Sequence, residues 1–225
     1  MRQATQNLDV GLIPRRAGDA LDRPLNEGER SAMISAAEQK ISELFDVLRI
    51  DHRHDQNTRE TPGRVARSLV DEILGGRYVP PPVITEFENA EQYDELIVTG
   101  PIDVRSMCAH HMLPIYGHAY FGILPRGDGK IVGLSKYDRI VNHFARRLQS
   151  QEELVKQIGE FVVETTEPQG LIVRISAVHM CKTHRGVAAS HASRMVSTYS
   201  YGDMRTDDAK RREFLQECMG RDPGA

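Results

Sequence analysis

Three consecutive prolines, Pro80 to Pro82, divide this chain into two stretches of different periodicity. Before them, Met33, Ile34, Ala37, Ile41, Leu44, Phe45 and Leu48 recur three and four apart, the stripe of an amphipathic helix. The polar run "DHRHDQN" interrupts it, and "ETPGRVARSLVDEILGG" restarts a helix, with Thr61 expected as N-cap, Pro62 at the first helical position and Gly75-Gly76 as the stop. After the prolines come "DELIVTGPIDVRSM", "YGHAYFGIL", "KIVGL", "LIVRISAVHM" and "RMVSTYSY". These are short stretches rich in β-branched and aromatic residues, as strands require. "RGDGK" between the second and third predicts a hairpin turn. A long helical block from Ser135 to about Glu164 separates the third from the fourth, with Ser135 and Asp138 spaced as a capping box. "TDDAKRREFLQECM" predicts a closing helix. Helices first, then strands around a helical block, argue an α+β fold with an antiparallel sheet. The expected divisions are a flexible arm over 1–28, a helical region over 29–90 and a sheet-bearing domain over 91–220.

With 225 residues, 40% hydrophobic and 27% charged, the chain suits one large soluble domain, with or without a helical appendage. A net charge of -3 gives no overall attraction to nucleic acid or anionic lipid, so any anion site must be built locally. No apolar run approaches the roughly 20 residues that span a bilayer. The polar N-terminus lacks the apolar centre of a signal peptide. The expectation is a cytoplasmic protein without nucleic-acid or membrane partners. Cys108, Cys181 and Cys218 are odd in number and far apart, which argues against a disulfide framework and opens the question of thiolate or metal chemistry.

"SMCAHHMLPIYG" carries that question. Two residues separate Cys108 from His111, a spacing that lets both side chains reach one ion across a turn. Such a pair is incidental unless a third donor joins it. Cys181, at the end of the strand "AVHMC", is a candidate. Cys, His and Cys would make the three-ligand set of a catalytic zinc site with a position left for water. His110 adjoins His111, and His179 lies two residues before Cys181, on the same face if the strand continues. Both are either acid/base groups or buried histidines that orient the ligands. Cys218, among the charges of the last helix, reads as a bystander.

"GLSKYDRIV" puts Ser135, Lys136 and Arg139 at the start of a helix, where free N–H groups and a partial positive charge favour phosphate. Arg185 follows Cys181, and Arg64 and Arg67 lie three apart on an earlier helix. These cations suit a polyanion such as a triphosphate, or are simply solvated. Gln151 and Glu152 begin the second half of the helical block. A carboxylate there can accept both hydrogens of a guanine edge, or it is an ordinary acidic helix start.

Taken together, "ETPGRVARSLVDEI", "SMCAHHMLPIYGHAYFGILP", "IVGLSKYDRIVNHFARRLQSQEEL", "AVHMCKTHRG" and "REFL" resemble GTP cyclohydrolase I, from about Glu29 to Phe214. The resemblance implies a tunnelling fold: a four-stranded antiparallel sheet with two helices on one face, behind an N-terminal helical region, with the catalytic domain over 91–220. It implies Zn2+ on Cys108, His111 and Cys181, acid/base roles for His110 and His179, and guanine recognition by Gln151 and Glu152. Triphosphate contacts would come from Ser135, Lys136, Arg139 and Arg185, with Arg64 and Arg67 reaching in from a neighbouring subunit. The implied reaction is zinc-dependent hydrolysis of GTP at C8, ring opening, formate release and rearrangement to 7,8-dihydroneopterin triphosphate. The implied assembly is a homodecamer of two pentamers.

The family's motif reads Cys-Glu-His-His, and here Ala109 stands in the second position. The loss removes a charge and a hydrogen-bond acceptor from the middle of the site. One alternative is therefore a specialised paralogue that stops at the ring-opened formamide or uses another guanine nucleotide. Another is a non-catalytic nucleotide-binding assembly. His118 also departs from the pattern, where lysine is common.

Overall fold

The computed structural model describes residues 16–221, and the chain divides into two compact units between Pro80 and Pro81. In the first, α1 (Glu27–Leu48) opens on a capping box: the Asn26 side chain accepts from the Glu29 N–H, and the Glu29 carboxylate accepts from the Asn26 N–H. Arg49 ends it in the left-handed region at φ 57°. α2 (Thr61–Arg67) runs on into a π-helical segment, Ser68–Ile73. Glu60, not Thr61, holds its cap position, without a side-chain cap bond. Thr61 is already helical, and its hydroxyl donates backward to the Asn57 carbonyl at 3.4 Å. Of the stretch expected to be a flexible arm, residues 1–15 lie outside the described residues. Residues 16–25 are tied down: Arg77 donates to the Ala17 and Asp19 carbonyls, and the Leu21 and Leu25 N–H groups bond to the carbonyls of Arg77 and Tyr78.

The second unit runs β1 (Glu86–Glu88), β2 (Ile97–Cys108), β3 (Pro114–Leu124), β4 (Lys130–Val132), α3 (Ser135–Ala145), β5 (Leu148–Gln149), α4 (Gln151–Thr166), β6 (Gly170–His179), α5 (Met180–Thr183), β7 (Arg194–Gly202), α6 (Asp203–Thr206) and α7 (Asp208–Arg221). Strands β2, β3, β6 and β7 form the expected antiparallel sheet in that order, and β5 adds a parallel pair at Met107 and Cys108. The turn at "RGDGK" forms, with the Gly129 N–H on the Arg126 carbonyl at 3.0 Å, but not as a hairpin. Both edges of β3 are taken by β2 and β6, so β4 pairs with β1 in a separate two-stranded ribbon.

Alternation along the strands sets the two faces. Ala119, Phe121 and Ile123 of β3, with Leu171, Val173, Ile175 and Ala177 of β6, point into a core closed by Ile140, Val141 and Phe144 of α3 and by Leu154, Ile158 and Val162 of α4. Gly159 lets α4 approach closely, because a Cβ there would stand 2.1 Å from the Tyr199 ring. Tyr120 and Ile172 point the other way, onto Met204, Phe214 and Cys218. Cys218 is thus a core residue of α7. The helical block is broken at Arg146–Ser150, and its halves start differently. Leu134 precedes α3 with no side-chain cap, so Ser135 and Asp138 do not form the expected capping box, whereas Ser150 caps α4 by accepting from the Glu153 N–H. Among the described residues no helix is long and apolar enough to cross a membrane.

Candidate active site

Strands β2 and β6 run parallel to each other on either side of β3, so their C-terminal ends arrive at the same end of the sheet. Cys108 is the last residue of β2 and is buried. Its N–H donates to the Leu113 carbonyl and its carbonyl accepts from the Met112 N–H, both at 2.9 Å, closing a tight turn in which Met112 adopts φ 50°. The Ala109 N–H bonds to the Gln149 carbonyl at 3.0 Å and ties the turn to β5. His110 and His111 are left exposed on that turn.

At the end of β6 the strand stops at His179, and Cys181 sits on the single helical turn α5. The expected shared strand face of His179 and Cys181 is therefore not realised, since the chain changes conformation between them. The turn nonetheless brings Cys181 to Cys108 and His111, with the donor atoms of all three within 4.8 Å of one another. Among the described residues this is the one group of three such side chains that could hold a metal ion. Burial pushes the Cys181 thiol up, and the Cys108 thiol beside it adds to the shift. Two crowded sulfurs and an imidazole are the donor chemistry zinc takes, and a cation relieves the cost of ionising both thiols.

Around the cluster, His110 Nδ1 lies 3.8 Å from Cys108 Sγ. His179 Nε2 lies 2.8 Å from Gln151 Oε1. Burial lowers the His179 pKa, the Glu152 carboxylate opposes the shift, and Lys182 adds to it. Glu152 is exposed on the first turn of α4, while Gln151 before it is fully buried. The Gln151 amide nitrogen contacts the Ile175 and Met195 carbonyls, both at 3.1 Å, and Ser197 Oγ at 3.0 Å. Arg185 is close enough for its charge to act on Cys181.

Lys136 and Arg139, of the same unit as the cluster, are engaged elsewhere in it. Lys136 Nζ donates to the Val83 carbonyl at 3.2 Å. Arg139 helps line a cavity of about 450 Å³ with Pro101, Asp103, Arg105 and Asn142. Its position faces the middle of β2, and Asp103 precedes Cys108 by about 16 Å of strand. Ser135 is exposed at the start of α3. Arg64 and Arg67 are exposed on α2 of the first unit, where Arg64 pairs with Glu60 at 2.5 Å. Sequence reasoning missed Gln149 and Ser197, which hold the turn and Gln151. They lie 41 and 89 positions from Cys108, and no local pattern marks them.

The family profile described as GTP cyclohydrolase I matches residues 37–219. The GTP cyclohydrolase 1 of Chlorobaculum tepidum is 45% identical over 156 residues, covering 69% of this chain and 68% of that protein. That of Nitrosospira multiformis is 42% identical over 161 residues, covering 71% and 83%. That of Thermobifida fusca is 38% identical over 213 residues, covering 95% and 94%. With the α+β tunnelling fold and its convergent cysteines and histidine in place, the chain belongs to the GTP cyclohydrolase I family of hydrolases.

Proposed function

We propose that the chain hydrolyses GTP at C8, opens the imidazole ring, releases C8 as formate and recloses the product as 7,8-dihydroneopterin triphosphate. The observation that carries this reading is the convergence of Cys108, His111 and Cys181 from two strand ends, in a chain whose relatives are named for this activity. Zinc held by those residues supplies a Lewis acid that polarises water and the substrate. In this reading His110 and His179 carry the protons that must leave water and reach the departing purine nitrogen, which the position of His110 Nδ1 beside Cys108 Sγ supports. The exposed Glu152 carboxylate can accept the N1–H and 2-amino hydrogens of guanine together. Ser135, Lys136, Arg139 and Arg185, with Arg64 and Arg67 of a neighbouring subunit, bind the triphosphate. The working form in this reading is a homo-oligomer, the decamer of two pentamers that the family resemblance implies.

Zinc-loaded protein incubated with GTP should release one formate per GTP and, after oxidation, give fluorescent neopterin. Metal-replete protein that produces neither overturns the reading.

Ala109 favours a second reading, in which ring opening outruns the later steps. Its side chain is a methyl between a candidate ligand and a candidate proton carrier, so it cannot orient or relay. Mass spectrometry separates the two: the formamide is GTP plus one water with C8 retained. Accumulation of that species, relieved in Ala109→Glu, supports the second reading, and prompt stoichiometric formate rules it out.

A further inference from the structure

We infer that Gln151 is a positioning residue that fixes which nitrogen of His179 exchanges protons, and that its side chain does not read the base. The inference rests on the GTP-hydrolysing reading above for its kinetic consequences, but not for its structural basis. Gln151 is the first residue of α4 and is wholly buried. Its Nε2 lies 3.1 Å from the Ile175 carbonyl of β6 and 3.1 Å from the Met195 carbonyl of β7. Backbone carbonyls only accept hydrogen bonds, so the NH2 end of the amide must face them, and the alternative amide orientation is excluded on chemical grounds. Ser197 Oγ, 3.0 Å from the same nitrogen, accepts as well, and it lies 3.5 Å from the Gln151 carbonyl, to which its own proton can point.

With the amide so oriented, Oε1 is the end that meets His179 Nε2 at 2.8 Å. An amide oxygen cannot donate, so Nε2 carries the proton. In the neutral ring Nδ1 then holds the lone pair and is the atom that can take up or deliver a proton. Two backbone carbonyls, one on each of two neighbouring strands, thus decide the tautomer of a histidine at the strand end. The same bonds leave Gln151 nothing to offer a ligand. Its hydrogens are directed at protein acceptors, and its side chain has no exposed surface. Glu152, exposed on the same turn, is left as the reader of the guanine edge.

The first test reads the tautomer directly in zinc-loaded, full-length protein. Solid-state nitrogen-15 spectra of histidine-labelled wild type, compared with His179→Ala above pH 8, should show His179 protonated at Nε2. Protonation at Nδ1 overturns the inference. This readout requires no turnover, so it stands even if GTP proves not to be the substrate.

The second test uses Gln151→Met, which keeps length and apolar volume but removes the acceptor. We expect kcat to fall at least tenfold and the GTP dissociation constant, by equilibrium dialysis, to change less than twofold. Added to His179→Ala, Gln151→Met should cause no further loss of kcat, since both act through one group. A tenfold or greater loss of GTP affinity, with collapse of the preference for GTP over ITP, would show that Gln151 reads the base and would overturn the inference. If the variant fails to fold, the tautomer measurement alone decides.

Discussion

Cys181 is the residue on which the candidate centre turns. Cys108 and His111 are three positions apart on one turn, and Cys181 arrives from a helical turn 73 positions later. Removing its sulfur leaves two donors, too few to hold zinc tightly. Cys181→Ala, dialysed against a weak chelator, should retain less than a tenth of the wild-type zinc by elemental analysis, with the far-ultraviolet circular dichroism unchanged. Retention of a full equivalent would put the ion elsewhere. Glu152 supports a second prediction at this scale. Replacing its carboxylate by an amide turns one acceptor oxygen into a donor that faces the guanine hydrogens. Losing a charged hydrogen bond costs about 1.5–3 kcal/mol, so Glu152→Gln should weaken GTP binding roughly 10- to 100-fold. Affinity for ITP, which lacks the 2-amino group, should fall less.

The close contact between α4 and β7 is set by one missing methyl group. A Cβ on Gly159 would meet the Tyr199 ring at 2.1 Å. Alanine improves helix propensity by about 1 kcal/mol over glycine, yet overpacking at such a contact costs about 1–3 kcal/mol. Gly159→Ala should therefore lower the urea midpoint despite the better helix former. The loss should shrink or change sign in a Tyr199→Ala background, where the ring is gone. Equal effects in both backgrounds would mean that the ring is not what excludes the side chain. Element identities were legible because each is decided by local chemistry: the β-branched runs of β2, β3, β6 and β7 and the apolar stripe of α1 all form as expected. The pairing of β4 was not legible. A good turn sequence favours a hairpin only when the neighbouring strand has a free edge, and β3 has none. The start of α3 failed for the same kind of reason, because spacing alone does not aim the Ser135 hydroxyl at a helix N–H.

For the molecule as a whole, a buried histidine ties stability to pH. His143 lies in the core on α3, and its Nε2 is 2.7 Å from an Arg147 nitrogen. Arginine can only donate, so the ring accepts and is neutral. Burial is the main cause that pushes its pKa down from 6.5 to about 4, with the Arg147 and Arg146 charges adding to it. The unfolded chain binds this proton below about pH 6.5, and the folded chain only below about 4. Between those values the unfolded state holds more protons, so stability falls as the pH is lowered from 6.5 to 4, by roughly 3 kcal/mol in all. His143→Gln keeps an oxygen to accept from Arg147 but does not titrate. Its urea midpoint should drop less than that of wild type between pH 7 and pH 4.5, and an equal drop would assign the acid sensitivity to other groups.

By itself, the sequence determined the two kinds of periodicity on either side of the prolines, the α+β class and the candidate donors Cys108, His111 and Cys181. It did so because hydrophobic period and side-chain chemistry are local properties. Only the tertiary structure decided that β2 and β6 end at the same place and that Cys181 turns toward Cys108 from a helical turn rather than a strand. It also decided that Gln151, written beside Glu152, points into the protein while its neighbour points out. Consecutive residues at a helix start face different surroundings, and what fills those surroundings is brought there by strands 24 and more positions away.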